Sequence, residues 1–337
     1  MSEVPTYRLG GYREYGVPAD LADIADRVWI YSRPRAAAWT MPPGGHRILP
    51  EPGVSLCFQT RRRADGPAID PELIVIGPVR AVRSFDPGPE VHLECVRIKP
   101  EWSRDLLRAD PAEQADGLNP LAAIAASRAP ALLDRLARTT SSFEAVGVLL
   151  DALRTWRESF HPARSAVLAH RVLERLRSPD RDPLRLGVLA RALNVSERHL
   201  HRSVVETVGI RPKYLDRLGR LGRTVTAADG QAAPDWSALA AEGGYYDQSH
   251  MIHEFLSLTG TAPAELHAER QAQVLGMGSR SLGWGQVFNL VFSTGCSKYQ
   301  IKDLTPIPLM SEISKIILPR GPIVCPCEPR FCPVSFF

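Results

Sequence analysis

Several features that would mark other protein classes are missing from this 337-residue chain. No apolar run approaches the roughly 20 residues that a membrane-spanning helix needs, so we expect no membrane partner. The N-terminal segment MSEVPTYRLG lacks the basic and then apolar order of a secretory signal, which predicts a cytoplasmic protein. The G-x-S-x-G, P-loop and H-E-x-x-H motifs are also absent. The sequence therefore offers no catalytic residue, and we expect a protein that is not an enzyme.

Cysteine is scarce, with six residues that are unevenly placed. Cys57 and Cys95 lie in apolar, strand-like segments. Because disulfides are rare in cytosolic chains, we expect both to be buried free thiols. The other four follow residue 295, and their spacing is not that of a zinc site. We therefore expect no metal and no cofactor.

Lysine is also rare over the first 270 residues, where Lys99 and Lys213 stand among many arginines. Three further lysines and four of the six cysteines follow after residue 275. This change in residue usage predicts that 271–337 is an atypical, poorly ordered tail of different origin from the rest of the chain.

The remaining sequence predicts an α+β fold in two parts. Short apolar runs between Pro- and Gly-rich breaks predict strands in the first 100 residues. These runs are RVWIY (27–31), VSLCFQ (54–59), ELIVIGPV (72–79) and VHLECVRIKP (91–100). Apolar residues at intervals of three and four then predict helices over 101–160, LNPLAAIAAS (118–127) among them, and over 163–270. We expect a mostly-β sensor or dimerisation domain with flanking helices over 1–162, then an all-α domain over 163–270.

The strand-like segments also suggest where an effector would bind. Five apolar residues are expected to point into a cavity between the N-terminal strands, which favours a small, partly apolar ligand. Ordinary core packing explains the same residues equally well. They are Trp29, Leu56, Phe58, Ile74 and Ile76.

An internal repeat organises the helical part. The segment LARALNVSERHLHRSVVETVGIRPKYL (189–215) aligns with LAAEGGYYDQSHMIHEFLSLTGTAPAEL (239–266) with one extra residue in the second turn. Ser196 aligns with Asp247, Gly209 with Gly260, and Pro212 with Pro263. A repeat that keeps a helix cap, a terminating glycine and a proline in register is one structural unit used twice. Each unit is predicted to be a helix-turn-helix, with a linker helix between the two.

The second helix of each unit is predicted to bury one stripe of residues and to present another to DNA. Leu200, Val204 and Val208 form the buried stripe of the first helix, and Met251, Phe255 and Leu258 form that of the second. Such a helix fits the major groove, where Arg bonds guanine and Gln bonds adenine. The predicted DNA-contacting residues are Arg198, His201, Arg202, Gln248, Ser249, His250 and His253.

The two units resemble the paired helix-turn-helix motifs of the AraC/XylS family of bacterial transcription regulators. The second, in WSALAAEGGYYDQSHMIHEFLSLTGTAPAEL, resembles the family signature most closely, although His253 stands where Arg is common. The resemblance covers about 163–270 and is looser in the N-terminal part. It implies a sequence-specific DNA-binding regulator, with operator or promoter DNA as partner and activation as the commoner mode. It also allows a small-molecule effector, a homodimer and, for an activator, contact with RNA polymerase.

The charge differs between the two units. Arginine dominates 184–225, whereas 234–270 holds six acidic residues against Arg270 alone. We therefore expect the first unit to supply most of the phosphate attraction and the second to add specificity. Two other classes stay open at this point, an enzyme or a protein-interaction module carried by the N-terminal domain.

Overall fold

A computed structural model describes residues 7–9, 11–32, 46–62, 68–85, 90–177 and 184–275 of the chain. The predicted tail lies outside the described residues from 276 onward, as do the four cysteines that follow residue 295. None of the helices in the described ranges is both long enough and apolar enough to cross a membrane.

The N-terminal part of the described chain is an antiparallel sheet. Seven strands pair in the order β1-β2-β3-β8-β5-β6-β9, and β4 pairs with β7 beside them. The strands are β1 Tyr7–Leu9, β2 Tyr12–Gly16, β3 Ala25–Ser32, β4 His46–Ile48, β5 Val54–Arg62, β6 Ala68–Ile76, β7 Arg83–Phe85, β8 Val91–Ile98 and β9 Leu118–Pro120. All four predicted strands are present, as β3, β5, β6 and β8.

Helices follow the sheet and make up all of the described chain beyond residue 163 apart from turns. They are α1 Pro100–Leu107, α2 Pro111–Gln114, α3 Leu121–Ile124, α4 Ala129–Ala137, α5 Ser142–Glu158, α6 Arg164–Arg177, α7 Leu186–Ala192, α8 Glu197–Val208, α9 Pro212–Asp229, α10 Trp236–Gly243, α11 Gln248–Thr259 and α12 Pro263–Leu275. The predicted α+β fold class is thereby confirmed.

The segment 118–127 differs from its prediction as a single helix. It begins as strand β9, which pairs with β6, and only the four residues of α3 are helical. Pro120 is the reason, because the residue before a proline is restricted to extended backbone.

The two faces of the sheet pack into different cores, which corrects the predicted effector cavity. Leu56 and Phe58 lie in the large core that the sheet forms with α1, α4 and α5. Trp29 and Ile74 lie in a smaller cluster, with Ile76 packed against it. Side chains alternate along a strand, so these five residues do not line one space. The prediction of a common cavity is wrong, and ordinary packing accounts for all five.

Cys57 and Cys95 form a disulfide, contrary to the prediction of free thiols. The two residues face each other across β5 and β8, with Cα atoms 4.1 Å apart, and both are fully buried. Burial was predicted correctly. The disulfide was not predicted. Whether the two cysteines are adjacent depends on the register between β5 and β8, and the two segments taken separately do not specify that register.

Helix α1 connects the sheet to the helical part of the described chain. It packs against α6 and α8 as well as against the sheet core. Glu101 of α1 is fully buried and accepts hydrogen bonds from Arg177 of α6 at 2.7 and 3.0 Å. His170 Nδ1 lies 3.0 Å from the same carboxylate and its Nε2 lies 3.3 Å from Glu174. The contact between α1 and α6 therefore contains a buried charged cluster.

Candidate nucleic-acid interface

The sequence repeat is also a repeat of backbone structure at the turns. Between α7 and α8, Asn194 has φ +53°, and between α10 and α11, Gly244 has φ +80°. In both turns the N–H of the following residue donates to the carbonyl five residues before it, at 3.0 Å. A left-handed residue is required at each position, and Gly and Asn adopt that conformation most readily.

Helices α8 and α11 begin and end in the same way. Each has 12 residues. The Ser196 hydroxyl accepts a backbone N–H at the start of α8, and the Asp247 carboxylate does so at the start of α11. Gly209 and Gly260 follow the two helices with φ of +74° and +71°. The predicted caps and terminating glycines are confirmed.

The predicted buried stripes of both helices are confirmed as well. All six residues are at most 2% exposed, and each set lies in its own apolar cluster. Helix α9 joins the two clusters, with Leu215 in the first and Leu218, Leu221 and Val225 in the second. The two units are therefore separate folding cores on one continuous 18-residue helix.

The three predicted DNA-contacting residues of α8 are exposed. Arg198 and His201 extend into solvent. Arg202 lies 3.6 Å from Glu206 and 3.4 Å from His199, which are neighbours on the same helix. With the Arg202 side chain 67% exposed, such contacts contribute little and leave the guanidinium open to a phosphate or a base.

The four predicted residues of α11 are exposed too, but two of them have partners within the unit. Gln248 accepts a hydrogen bond from Ser237 of α10 at 3.1 Å. The His250 Nδ1 accepts the N–H of Tyr246 at 3.2 Å, which orients the ring along the turn. Ser249 and His253 are exposed on the same helix. The structure thus brings four polar side chains to one exposed helix, with Gln248 and His250 already oriented.

Arg217 and Arg220, two of the arginines of 184–225, bind a carboxylate within the protein. Glu254 of α11 is 5% exposed. It accepts bonds from Arg217 at 3.0 Å and from Arg220 at 2.9 Å, both on α9. Burial opposes the charge on Arg220, yet the bonds to Glu254 raise its pKa. Both arginines therefore connect α9 to α11, with their charges paired to a buried carboxylate.

Most of the acidic residues of the second unit bind donors within the unit. The count of acidic residues in the sequence did not show this. Asp235 and Asp247 cap α10 and α11, and Glu265 accepts a bond from Thr261. Hydrogen bonds from these neutral donors favour the charged form of the carboxylates, whereas Glu254 has its charge compensated by Arg217 and Arg220.

Tyr246 is a candidate contact that the sequence analysis missed. It directly precedes the cap of α11 and is 92% exposed, whereas the adjacent Tyr245 is 6% exposed and packs in the core of the second unit. A pair of adjacent tyrosines was the available signal, but only the turn geometry decides which ring faces solvent.

No protein-family model matches the chain, and no curated protein matches it. Among solved structures, the C-terminal domain of AraT, a response regulator from Geobacillus stearothermophilus, is 23% identical, with a TM-score of 0.29. That match covers 32% of this chain and 89% of the other. ToxT from Vibrio cholerae is 9% identical over 77% of this chain and 98% of its own, with a TM-score of 0.36. Both TM-scores lie below 0.5.

Proposed function

We propose that the protein is a sequence-specific DNA-binding regulator of transcription, of the kind that the AraC/XylS-like motifs imply. Its two DNA-contacting elements are helices α8 and α11, which enter consecutive segments of the major groove. The observation that carries the proposal is the repeated unit, with matching turns, caps and terminating glycines and with polar side chains exposed on the second helix of each copy.

The length of α9 supports the spacing of the two contacts. Its 18 residues extend about 27 Å at 1.5 Å per residue, which is shorter than one turn of DNA, about 34 Å, but of the same order. Gly219 and Gly222 would weaken an isolated helix, but both are buried within α9. The bonds from Arg217 and Arg220 to Glu254 attach α9 to the second unit and keep its orientation defined.

The division of the chain follows from the same proposal. Residues 163–270 form the DNA-binding domain, 1–162 form a sensor or dimerisation domain, and 271–337 form the tail. The protein acts as an effector-responsive activator in this scheme, with RNA polymerase and a second copy of the chain as further partners. It has no catalytic role.

The two helices contribute unequally to binding. Arg198 and Arg202 give α8 two exposed positive charges, whereas α11 presents Gln248, Ser249 and two histidines. Phosphate attraction dominates affinity and is lost as salt rises. We therefore expect α8 to supply most of the affinity and α11 to refine specificity.

The test begins with selection of duplexes from a randomised library by the purified full-length protein. Affinity for the enriched duplex is then measured by fluorescence anisotropy at pH 7.5 for the wild type, Arg202→Ala and His253→Ala. Loss of a bidentate Arg contact costs about 1–3 kcal/mol, so Arg202→Ala should weaken binding roughly 5- to 150-fold and more than His253→Ala does.

Arg138→Ala is the matched control, because Arg138 is an exposed arginine just beyond the end of α4. It should bind as the wild type does. Failure to enrich any sequence would overturn the proposed function. A larger loss for His253→Ala than for Arg202→Ala would overturn the ranking of the two helices.

A further inference from the structure

A cavity of about 370 Å³ opens where α1, α4 and the end of α5 meet. Its volume is in the range of small-molecule sites, about 300–1,000 Å³. Three arginines line it, Arg104 and Arg108 from the end of α1 and Arg128 from the start of α4. Trp156 and Phe160 supply an aromatic wall. None of these residues belongs to the predicted DNA-contacting set.

The positive charges of this cavity are not paired with carboxylates in the described chain. Arg104 and Arg128 donate to the backbone carbonyls of Glu206 and Leu106. The Arg108 side chain is exposed and makes no hydrogen bond or ion pair with a described residue. Burial and the nearby charge of Arg108 lower the pKa of Arg128, as expected where two guanidinium groups lie close without an anion between them.

The carboxylates at the cavity are already bound to the backbone. Asp105 accepts the N–H of Ala163 at 2.7 Å, and Asp110 accepts the N–H of Ala112 at 2.9 Å. Asp110 thereby caps α2, and Asp105 binds the chain directly before α6. Helix α4, which begins beside Arg128, has no side-chain cap and no acidic residue in its first turn. Its N-terminus adds a further preference for negative charge.

We propose that this cavity binds a small organic oxyanion, with its carboxylate or phosphate groups between Arg104, Arg108 and Arg128. The planar fork of a guanidinium matches either group in a bidentate arrangement. The less polar body of the ligand lies against the edges of Trp156 and Phe160. Arg128 already covers the Trp156 ring, with 4.7 Å between its guanidinium carbon and the ring centroid.

Arg104 connects this cavity to the first DNA-contacting helix, and this part of the inference rests on the proposed function. Its guanidinium donates to the Glu206 carbonyl at 2.6 Å. That carbonyl belongs to the last turn of α8, where helix carbonyls lack partners within the helix. An anion that draws Arg104 into the cavity removes this cap. Occupancy of the cavity therefore changes the end of α8 and, through it, DNA affinity.

The first experiment measures anion binding without DNA. Isothermal titration of the full chain with citrate and with inorganic phosphate should show saturable binding of at least one, in the millimolar range or tighter. Arg108→Gln removes a charge-assisted contact and should weaken that binding by about tenfold or more. Arg138→Gln, which makes the same charge change outside the cavity, should leave it within twofold.

Absence of binding by both probes, or equal losses of anion affinity in the two variants, would overturn the inference.

The second experiment adds the same anion to the protein bound to its selected duplex. Potassium chloride of equal ionic strength is the control. The anion should change DNA affinity at least threefold beyond the salt control in the wild type and not in Arg108→Gln. An equal effect in both proteins would overturn the coupling. If the protein binds the anion in a way that depends on Arg108 but selects no DNA, the proposed function is rejected and the proposed anion site is retained.

Discussion

The buried carboxylate of Glu101 provides the sharpest test of how the sheet and the helices are joined. It is fully buried and bonds to Arg177 and His170 across the contact between α1 and α6. Burial alone would raise its pKa, but Arg177 and His170 outweigh that effect and keep the pKa of Glu101 well below its ordinary 4.5. Glu101→Gln keeps the shape of the side chain and removes the charge.

The substitution leaves Arg177, whose side chain is 17% exposed, without its partner. Breaking a buried ion pair from one side costs about 3–5 kcal/mol. We therefore expect Glu101→Gln to lower the free energy of unfolding by that amount at pH 5.5. Glu158→Gln, an exposed residue at the end of α5, is the matched control and should change it by less than about 0.5 kcal/mol.

The pH dependence follows from the direction of each pKa shift. The pKa of Glu101 is lowered, so its contribution is present above its ordinary 4.5 and is lost as pH falls through the lowered value. The pKa of His170 is raised: burial opposes this, but bonds to Glu101 and Glu174 prevail. Its contribution is therefore present below 6.5 and is lost as pH rises through the raised value.

The cost of Glu101→Gln should accordingly be greater at pH 5.5 than at pH 8.5, because the contribution of His170 is lost as pH rises. Urea denaturation followed by circular dichroism and tryptophan fluorescence at the two pH values measures both quantities. A cost below about 1 kcal/mol at pH 5.5 would refute the assignment of this cluster as the stabilising contact. So would a cost that does not change with pH.

Two further predictions concern stability. Reduction of the Cys57–Cys95 disulfide should lower the free energy of unfolding by about 2–4 kcal/mol, and the double serine variant should show no response to reductant in the same denaturation assay. Gly243→Ala should cost about 1–3 kcal/mol, because the new Cβ would lie 2.4 Å from the Thr224 hydroxyl. Gly147→Ala is its counterpart inside α5, where a Cβ meets nothing within 4 Å, and should raise the melting temperature. Equal effects of the two glycine substitutions would contradict the packing argument.

The sequence determined the local structure of this protein to a large extent. The caps, the terminating glycines and the two buried stripes of 184–275 followed from residue type and spacing, because helix ends and helix faces are set by interactions within a few residues. The four main strands followed from apolar runs between breaks in the same way. The predicted DNA-contacting residues also came from spacing, and all seven are exposed.

Contacts between residues far apart in the chain were decided by the tertiary structure alone. In the sequence Glu254 is one of six acidic residues of 234–270, and only the packing of α9 brings Arg217 and Arg220 to it. Cys57 and Cys95 became partners through strand register. The arginine-lined cavity exists only because the end of α1 meets α4 and α5. Whether a charge faces water or another charge depends on which segments pack together, and residue spacing along one segment does not specify that.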